Sequence, residues 1–301
     1  MKKGRFYSEI FSSDIQEILS HFLNESIQSV HQICEQYGPA EEDVRCYDVY
    51  YITTPTCRRI LKRAGEREIL NYETFLAERK LPVPFYYGKW VDENSVIWIM
   101  LEAVPGEDLR NITDSLALSA ADSLAQIQNA FWQNVNDDRF DVYWNRILRR
   151  ASFVQDDPLL GKAYQLFLNR QQTCPRTLSN GDFIPFNALQ SPHGVIITDW
   201  GFGGGMPYSL DIARFTAHAS ETEGPFPFHM TDSQKKLFVD RVYDQLINPP
   251  DYKQYLKDIQ LAVLNEYIEF MEADEDETGW YRDRAFRLAT EIIKNKEVDP
   301  Y

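Results

Sequence analysis

No Cys-x-x-Cys pair occurs in this 301-residue sequence, and its four cysteines (Cys34, Cys46, Cys57, Cys174) have no histidine at metal-ligand spacing. That argues against a zinc site, and a chain of this length does not need disulfides to hold a core, so buried free thiols are expected. Long apolar runs are also missing. The longest, residues 96–101, falls far short of the roughly 20 residues that cross a bilayer. Met1-Lys2-Lys3-Gly4-Arg5 is basic, but no apolar stretch follows, so it does not read as a signal peptide. Basic charge is scarce: 31 Lys and Arg stand against 46 Asp and Glu, a net charge of −15. Such a field repels polyanions, so neither nucleic acid nor an anionic membrane surface is expected as a partner, whereas cations are attracted. A soluble, cytoplasmic protein is expected; its oligomeric state is not legible.

What is present is an ordinary globular balance of 44% hydrophobic and 26% charged residues. Residues 14–24 place Ile15, Ile18, Leu19 and Phe22 on one helical face, with Ser13 as N-cap. Residues 27–37, 44–53 and 58–62 are expected as strands, 66–78 as a helix stopped by Leu81-Pro82-Val83-Pro84, and 85–90 and 96–102 as two more strands. Pro105-Gly106 breaks the pattern. Beyond it, helices are expected over 114–132, 141–150, 158–172, 209–217, 231–246, 252–272 and 280–296. Thr231 with Gln234 is a capping-box signature. The exception is 178–199, where 188–190 and 195–198 read as two short strands around Ser191-Pro192-His193-Gly194. The expected fold is α+β: a small β-rich lobe over residues 1–104 and a larger, mainly helical lobe over 105–301.

Chemistry concentrates in Asn180-Gly181-Asp182, in Asn187 four residues beyond the aspartate, and in Asp199-Trp200-Gly201. Phosphoryl transfer needs oxygen ligands for magnesium and one carboxylate beside the attacking hydroxyl. Asp-x4-Asn on a loop, followed by Asp-x-Gly after a hairpin, can supply both, and this is the protein-kinase order. The same order calls for an upstream strand lysine with an acidic partner on the next helix. Lys62 ends the strand 58–62, and Glu66, Glu68 and Glu73 follow, with Glu68 the best-placed partner.

The chain thereby resembles the aminoglycoside phosphotransferase and choline kinase family, which has a protein-kinase-like, two-lobed fold. The matching pieces are Ile60-Leu61-Lys62, Glu66-Arg67-Glu68, Leu81-Pro82-Val83-Pro84, Met100-Leu101-Glu102-Ala103, Asn180-Gly181-Asp182 with Asn187, Asp199-Trp200-Gly201 and Asp211-Ile212-Ala213. The resemblance implies ATP or GTP as phosphate donor, with Lys62 and Glu68 on its phosphates and the main chain of Leu101 and Ala103 on its base edge. It implies Mg2+ on Asn187 and Asp199, Asp182 as the catalytic group, and Asp211 as a buttress of the catalytic loop. Asn180 stands where the family usually has histidine, and Gln128 replaces a second family histidine. The nucleotide-covering turn has Gly38 but no Gly-x-Gly-x-x-Gly, and Gly203-Gly204-Gly205 reads as a flexible connector.

The acceptor end is marked by charge. Residues 105–301 carry 19 Lys and Arg against 30 Asp and Glu. Glu266, Glu269, Glu272 and Asp274 to Glu277 follow one another without a basic residue, and Glu266 and Glu269 lie on the helix and are expected to face a pocket. An acidic wall suits a small cationic acceptor, an aminoglycoside first. Trp132, Tyr143-Trp144 and Trp280-Tyr281 keep choline, ethanolamine or another metabolite as the alternative, although such aromatics usually pack helices. The reading from a different class is a kinase-like nucleotide-binding module without turnover.

Overall fold

A computed structural model of the chain describes residues 4–10, 12–36, 44–77, 79–135, 140–222 and 224–294. The chain divides into two compact units, Met1–Pro105 and Gly106–Tyr301. The turn containing Gly38, together with Glu78 and residues 295–296 of the last expected helix, lies outside the described residues.

The first unit is a six-stranded antiparallel sheet of order β1-β2-β3-β4-β6-β5. Its strands are β1 (Gly4–Glu9), β2 (Ser29–Gln36), β3 (Val44–Thr53), β4 (Arg58–Arg63), β5 (Tyr86–Val91) and β6 (Ile97–Glu102). Helix α1 (Ser13–Ser20) buries Ile15, Ile18 and Leu19 against Val30, Tyr50, Ile52, Leu61, Trp98 and Met100. Helix α2 (Glu66–Asn71) runs on into a π-helical turn, Tyr72–Leu76, closed by Ala77 N–H donating to Tyr72 O at 2.9 Å. Strand β1 was not expected from sequence. It is an edge strand on which both Phe6 and Tyr7 are exposed, so the in–out alternation that betrays a strand is lacking.

The expected free thiols need correcting. Cys34 and Cys46 are disulfide-bonded, because the β2–β3 register sets them directly opposite each other. Cys57 and Cys174 remain free, and Cys174 is buried. The bond closes a short loop, separation 12, and such a crosslink is worth about 2–3 kcal/mol through the unfolded chain. Reduction of the wild type, or Cys46→Ser, should therefore lower the urea midpoint of the unit equally. Identical midpoints with and without reductant would mean that the crosslink contributes nothing.

The second unit is built from helices α3 (Asp114–Ala130), α4 (Phe140–Val154), α5 (Pro158–Gln171), α6 (Ser209–Ala217), α7 (Asp232–Gln245), α8 (Tyr252–Glu272) and α9 (Trp280–Ile293). Thr231 and Gln234 make the reciprocal capping box expected for α7. Two small antiparallel sheets sit among them: β8 (Ala188–Ser191) with β9 (Gly194–Ile197), and β7 (Arg176–Ser179) with β10 (Gly204–Pro207). The second pair corrects the expected connector. Gly204 and Gly205 are buried and lie opposite Ser179 and Leu178, where low strand propensity had hidden a strand. Gly106 is obligatory: its φ is +142°, and a Cβ there would lie 1.7 Å from the carbonyl oxygen of Gln190.

Candidate active site

In the first unit Lys62 is on β4, opposite Ile99 of β6, and its Nζ donates to Glu68 Oε1 at 2.9 Å. Glu68 is buried because it opens the inward face of α2, whereas Glu66 is exposed and Glu73 is taken by Lys89 and Tyr86. The choice among the three glutamates is thus a matter of helix face, and it falls on Glu68. Leu101 is buried in β6 between Ile60 and Tyr86, and Ala103 follows the end of that strand.

In the second unit Asp182, Asn187 and Asp199 come together although two chain segments supply them. Phe183 is buried and stacks on Phe215 of α6 at 4.7 Å, which anchors the loop beside Asp182. Trp200 is buried and donates to Ile197 O, which anchors the segment beside Asp199. Asn180 ties the two together: its Nδ2 donates to the carbonyls of Thr198 and Asp199, both at 3.1 Å, and its Oδ1 accepts from Asp182 N–H. Gly181 has φ +77°, and a Cβ there would lie 2.5 Å from Phe202 O, so only glycine fits this turn. Asp199 also has a left-handed backbone, φ +57°, a strained state that functional loops retain.

Asp211 braces the loop from below. Its carboxylate accepts from Ser179 Oγ, Asn180 N–H and Gly181 N–H at 2.8–3.0 Å, and burial pushes its carboxyl up to about 6 against those bonds. Gln128 is fully buried, and its Nε2 donates to Tyr208 O, so it props α3 against the start of α6.

The side chains of the loop are already oriented. Asn187 Nδ2 donates to Asp182 O at 2.8 Å and to Asp182 Oδ2 at 3.1 Å, which leaves Asn187 Oδ1 as the atom able to ligate a cation. Asp182 is half-buried, and burial raises its carboxyl, with Asp199 adding to the rise and Arg214 opposing it. Among the described residues no group of three or more His, Cys, Asp or Glu side chains could by itself hold a metal ion. Asn187 and Asp199 are instead an oxygen pair that fits magnesium shared with nucleotide phosphates, since this ion takes few protein ligands.

Residues that sequence reasoning missed lie just beside the loop. Arg214 donates from Nε and Nη2 to Asp182 Oδ1 at 3.1 and 2.9 Å, and from Nη1 to Glu266 Oε2 at 2.7 Å. Its signal was in plain view: Arg214 follows Asp211 by three residues on α6, hence on the same face. His218 Nε2 lies 3.3 Å from Glu266 Oε2, and burial lowers this imidazole's affinity for a proton. Arg150 Nη2 meets Glu269 Oε2 at 2.6 Å, and Arg149 Nε meets Glu272 Oε1 at the same distance. Glu266 and Glu269 do line a cavity, but arginine faces each of them, so the acidic wall expected there is an ion-pair network. Asp274 to Glu277 lie beyond the end of α8, and Asp276 accepts from the first amides of α9. The aromatics form no common box: Trp132 packs on Tyr208, Trp144 on Phe140, and Trp280 under Arg284.

No family model matches the sequence, and no curated protein does. Solved structures match over nearly the whole chain. Spectinomycin phosphotransferase, solved with ADP and spectinomycin, is 14% identical, with TM-score 0.56, over 94% of each chain. Aminoglycoside-3'-phosphotransferase of type VIII is 19% identical, with TM-score 0.53, over 83% of this chain and 98% of its own. Choline kinase from Streptococcus pneumoniae is 16% identical, with TM-score 0.54, over 93% of this chain and 98% of its own. The chain has the α+β, protein-kinase-like fold of these small-molecule kinases, with a β-sheet in its N-terminal unit and helices dominating its C-terminal unit.

Proposed function

We propose that this protein is a phosphotransferase that moves the γ-phosphate of ATP or GTP to a hydroxyl of a small molecule, with magnesium. The observation that carries the reading is the convergence of Asp182 and Asn187 on one loop with Asp199 on the next segment, the two tied by Asn180 and the first braced by Asp211. Asp182 orients the acceptor hydroxyl and takes its proton as the new oxygen–phosphorus bond forms and the bond from the γ-phosphorus to the β-phosphate oxygen breaks, releasing ADP or GDP. Lys62, steadied by Glu68, holds the α- and β-phosphates, while the main chain of Leu101 and Ala103 meets the base. Asn187 Oδ1 and the Asp199 carboxylate hold magnesium, which supplies charge neutralisation at the phosphates. Catalysis is then positioning plus electrostatics, because the transition state is loose.

Aminoglycosides and choline, named for the similar structures, open the acceptor panel, with ethanolamine and hydroxy amino acids beside them. Transfer from ATP and GTP to that panel tests the reading. One observation favours a binding module without turnover, namely the arginine already seated on Asp182; magnesium-dependent nucleotide binding with no transfer to any acceptor would favour it. Asp199→Ala checks the metal assignment separately. Nucleotide affinity of the wild type should rise with magnesium, and the variant should lose most of that rise. A variant that keeps the full enhancement would place the metal elsewhere.

A further inference from the structure

The cavity beside the Asp182 loop is lined by three arginines, Arg146, Arg150 and Arg214, and by three carboxylates, Asp211, Glu266 and Glu269, but the pairing among them is uneven. Gly181 and Arg214, both next to or bonded to Asp182, are among its lining, as are Tyr143 and Asn265. Its void of about 30 Å3 has room for two or three waters at most, about the size of one carboxylate or phosphate group. Arg214 is bonded to Asp182 and Glu266, and Arg150 to Glu269 and Asn265. Arg146, one turn of α4 before Arg150, has no such match. Its Nε is buried without a hydrogen-bond partner, and no carboxylate pairs with it among the described residues. Arg150 Nε likewise lacks a hydrogen bond, its nearest carboxylate oxygen being Glu272 Oε2 at 3.6 Å.

Buried guanidinium N–H groups without acceptors cost free energy unless a ligand supplies them, and an oxyanion that presents two oxygens, a carboxylate or a phosphate, is the group they fit best. We infer that the acceptor bears an oxyanion group, a carboxylate or a phosphate, seated on Arg146 and Arg150 while its hydroxyl faces Asp182. The inference rests on the phosphotransferase reading for the role of Asp182, but the anion site itself is independent of it. Burial also weakens Arg146's hold on its charge, a penalty that a bound anion would relieve. The sign is opposite to that expected from the net charge of the chain: the chain is acidic, whereas the cavity next to the reacting group holds one arginine, Arg146, without an ion pair among the described residues.

Calorimetric titration of the full chain tests this with four probes: inorganic phosphate, glycerate, glycerol 3-phosphate and glycerol. The wild type should bind an anionic probe and not glycerol, and preference for glycerate or for the phosphates tells which oxyanion the site takes. Arg146→Met should weaken that binding by about 10- to 100-fold, the range for hydrogen bonds to a charged group, and Arg146→Lys, which keeps the charge but not the Nε–H, should recover only part of it. If Arg146→Met fails to fold, Glu269→Gln decides: it frees Arg150, so phosphate should bind several-fold tighter, whereas a cation site would lose affinity. No anion binding by the wild type, or binding indifferent to Arg146→Met or unimproved by Glu269→Gln, overturns the inference. Magnesium–nucleotide titration of the same samples reports on the phosphotransferase reading. Its loss with phosphate binding intact would leave the anion site standing without a kinase.

Discussion

Asp182→Asn should lower turnover by about 10²–10⁴, the share a positioned general base supplies, while magnesium–nucleotide affinity stays at the wild-type level. The substitution keeps the shape of the side chain and an oxygen that still accepts from Arg214, so the loop held by Asn180, Asp211 and Phe183 should persist. What it removes is the negative charge and the proton acceptor. Burial already lifts the Asp182 carboxyl above its ordinary range, and a base whose pKa lies nearer the working pH transfers protons more effectively. The measurement is single-turnover transfer beside nucleotide titration. Near-normal turnover would remove Asp182 from the mechanism, and equal losses of turnover and nucleotide affinity would mean that the loop itself had collapsed.

Local signals were legible in the sequence wherever one chain segment carried its own pattern. The helix faces around Ile15 and Leu19, the capping box of Thr231 and Gln234, and the hairpin over 188–197 are all short-range features. The grouping of Asp182 with Asn187 and Asp199 was equally readable, because a tight hairpin forces the two ends of 187–199 together. What escaped notice depends on register or on tertiary neighbours. Cys34 meets Cys46 only through the β2–β3 pairing, and Gly204 joins a strand only because Ser179 lies opposite. The acidic run of α8 is the plainest case. Counting charges along the chain gave Glu266 and Glu269 no counterions, since Arg150 is more than a hundred residues upstream and Arg214 about fifty. Charge balance is a property of the folded neighbourhood, and a linear count misses it.

Removal of Arg214 should produce the largest loss of stability. Arg214→Met would leave Glu266, almost fully buried, facing only His218, and breaking a buried pair from one side costs about 3–5 kcal/mol. The pH dependence identifies the cause. Burial alone would raise the Glu266 carboxyl, but Arg214 and His218 outweigh it and hold the group below its ordinary value. A carboxyl lowered on folding contributes stability that is present above its unfolded value and lost as pH falls through its folded one. In the variant that contribution is gone near neutrality, while at acid pH the lone glutamate protonates and the penalty of burying its charge disappears. The deficit relative to wild type should thus be greatest near pH 7 and shrink as pH falls below about 5. Asp182 gives a second readout. Arg214 is what opposes the upward pull of burial on this carboxyl, so without it the acidic limb of the rate profile should move to higher pH. Denaturant titrations at several pH values measure the first effect, and the pH profile of kcat/KM measures the second. A deficit that is constant with pH would assign the cost of Arg214→Met to lost packing instead of the ion pair.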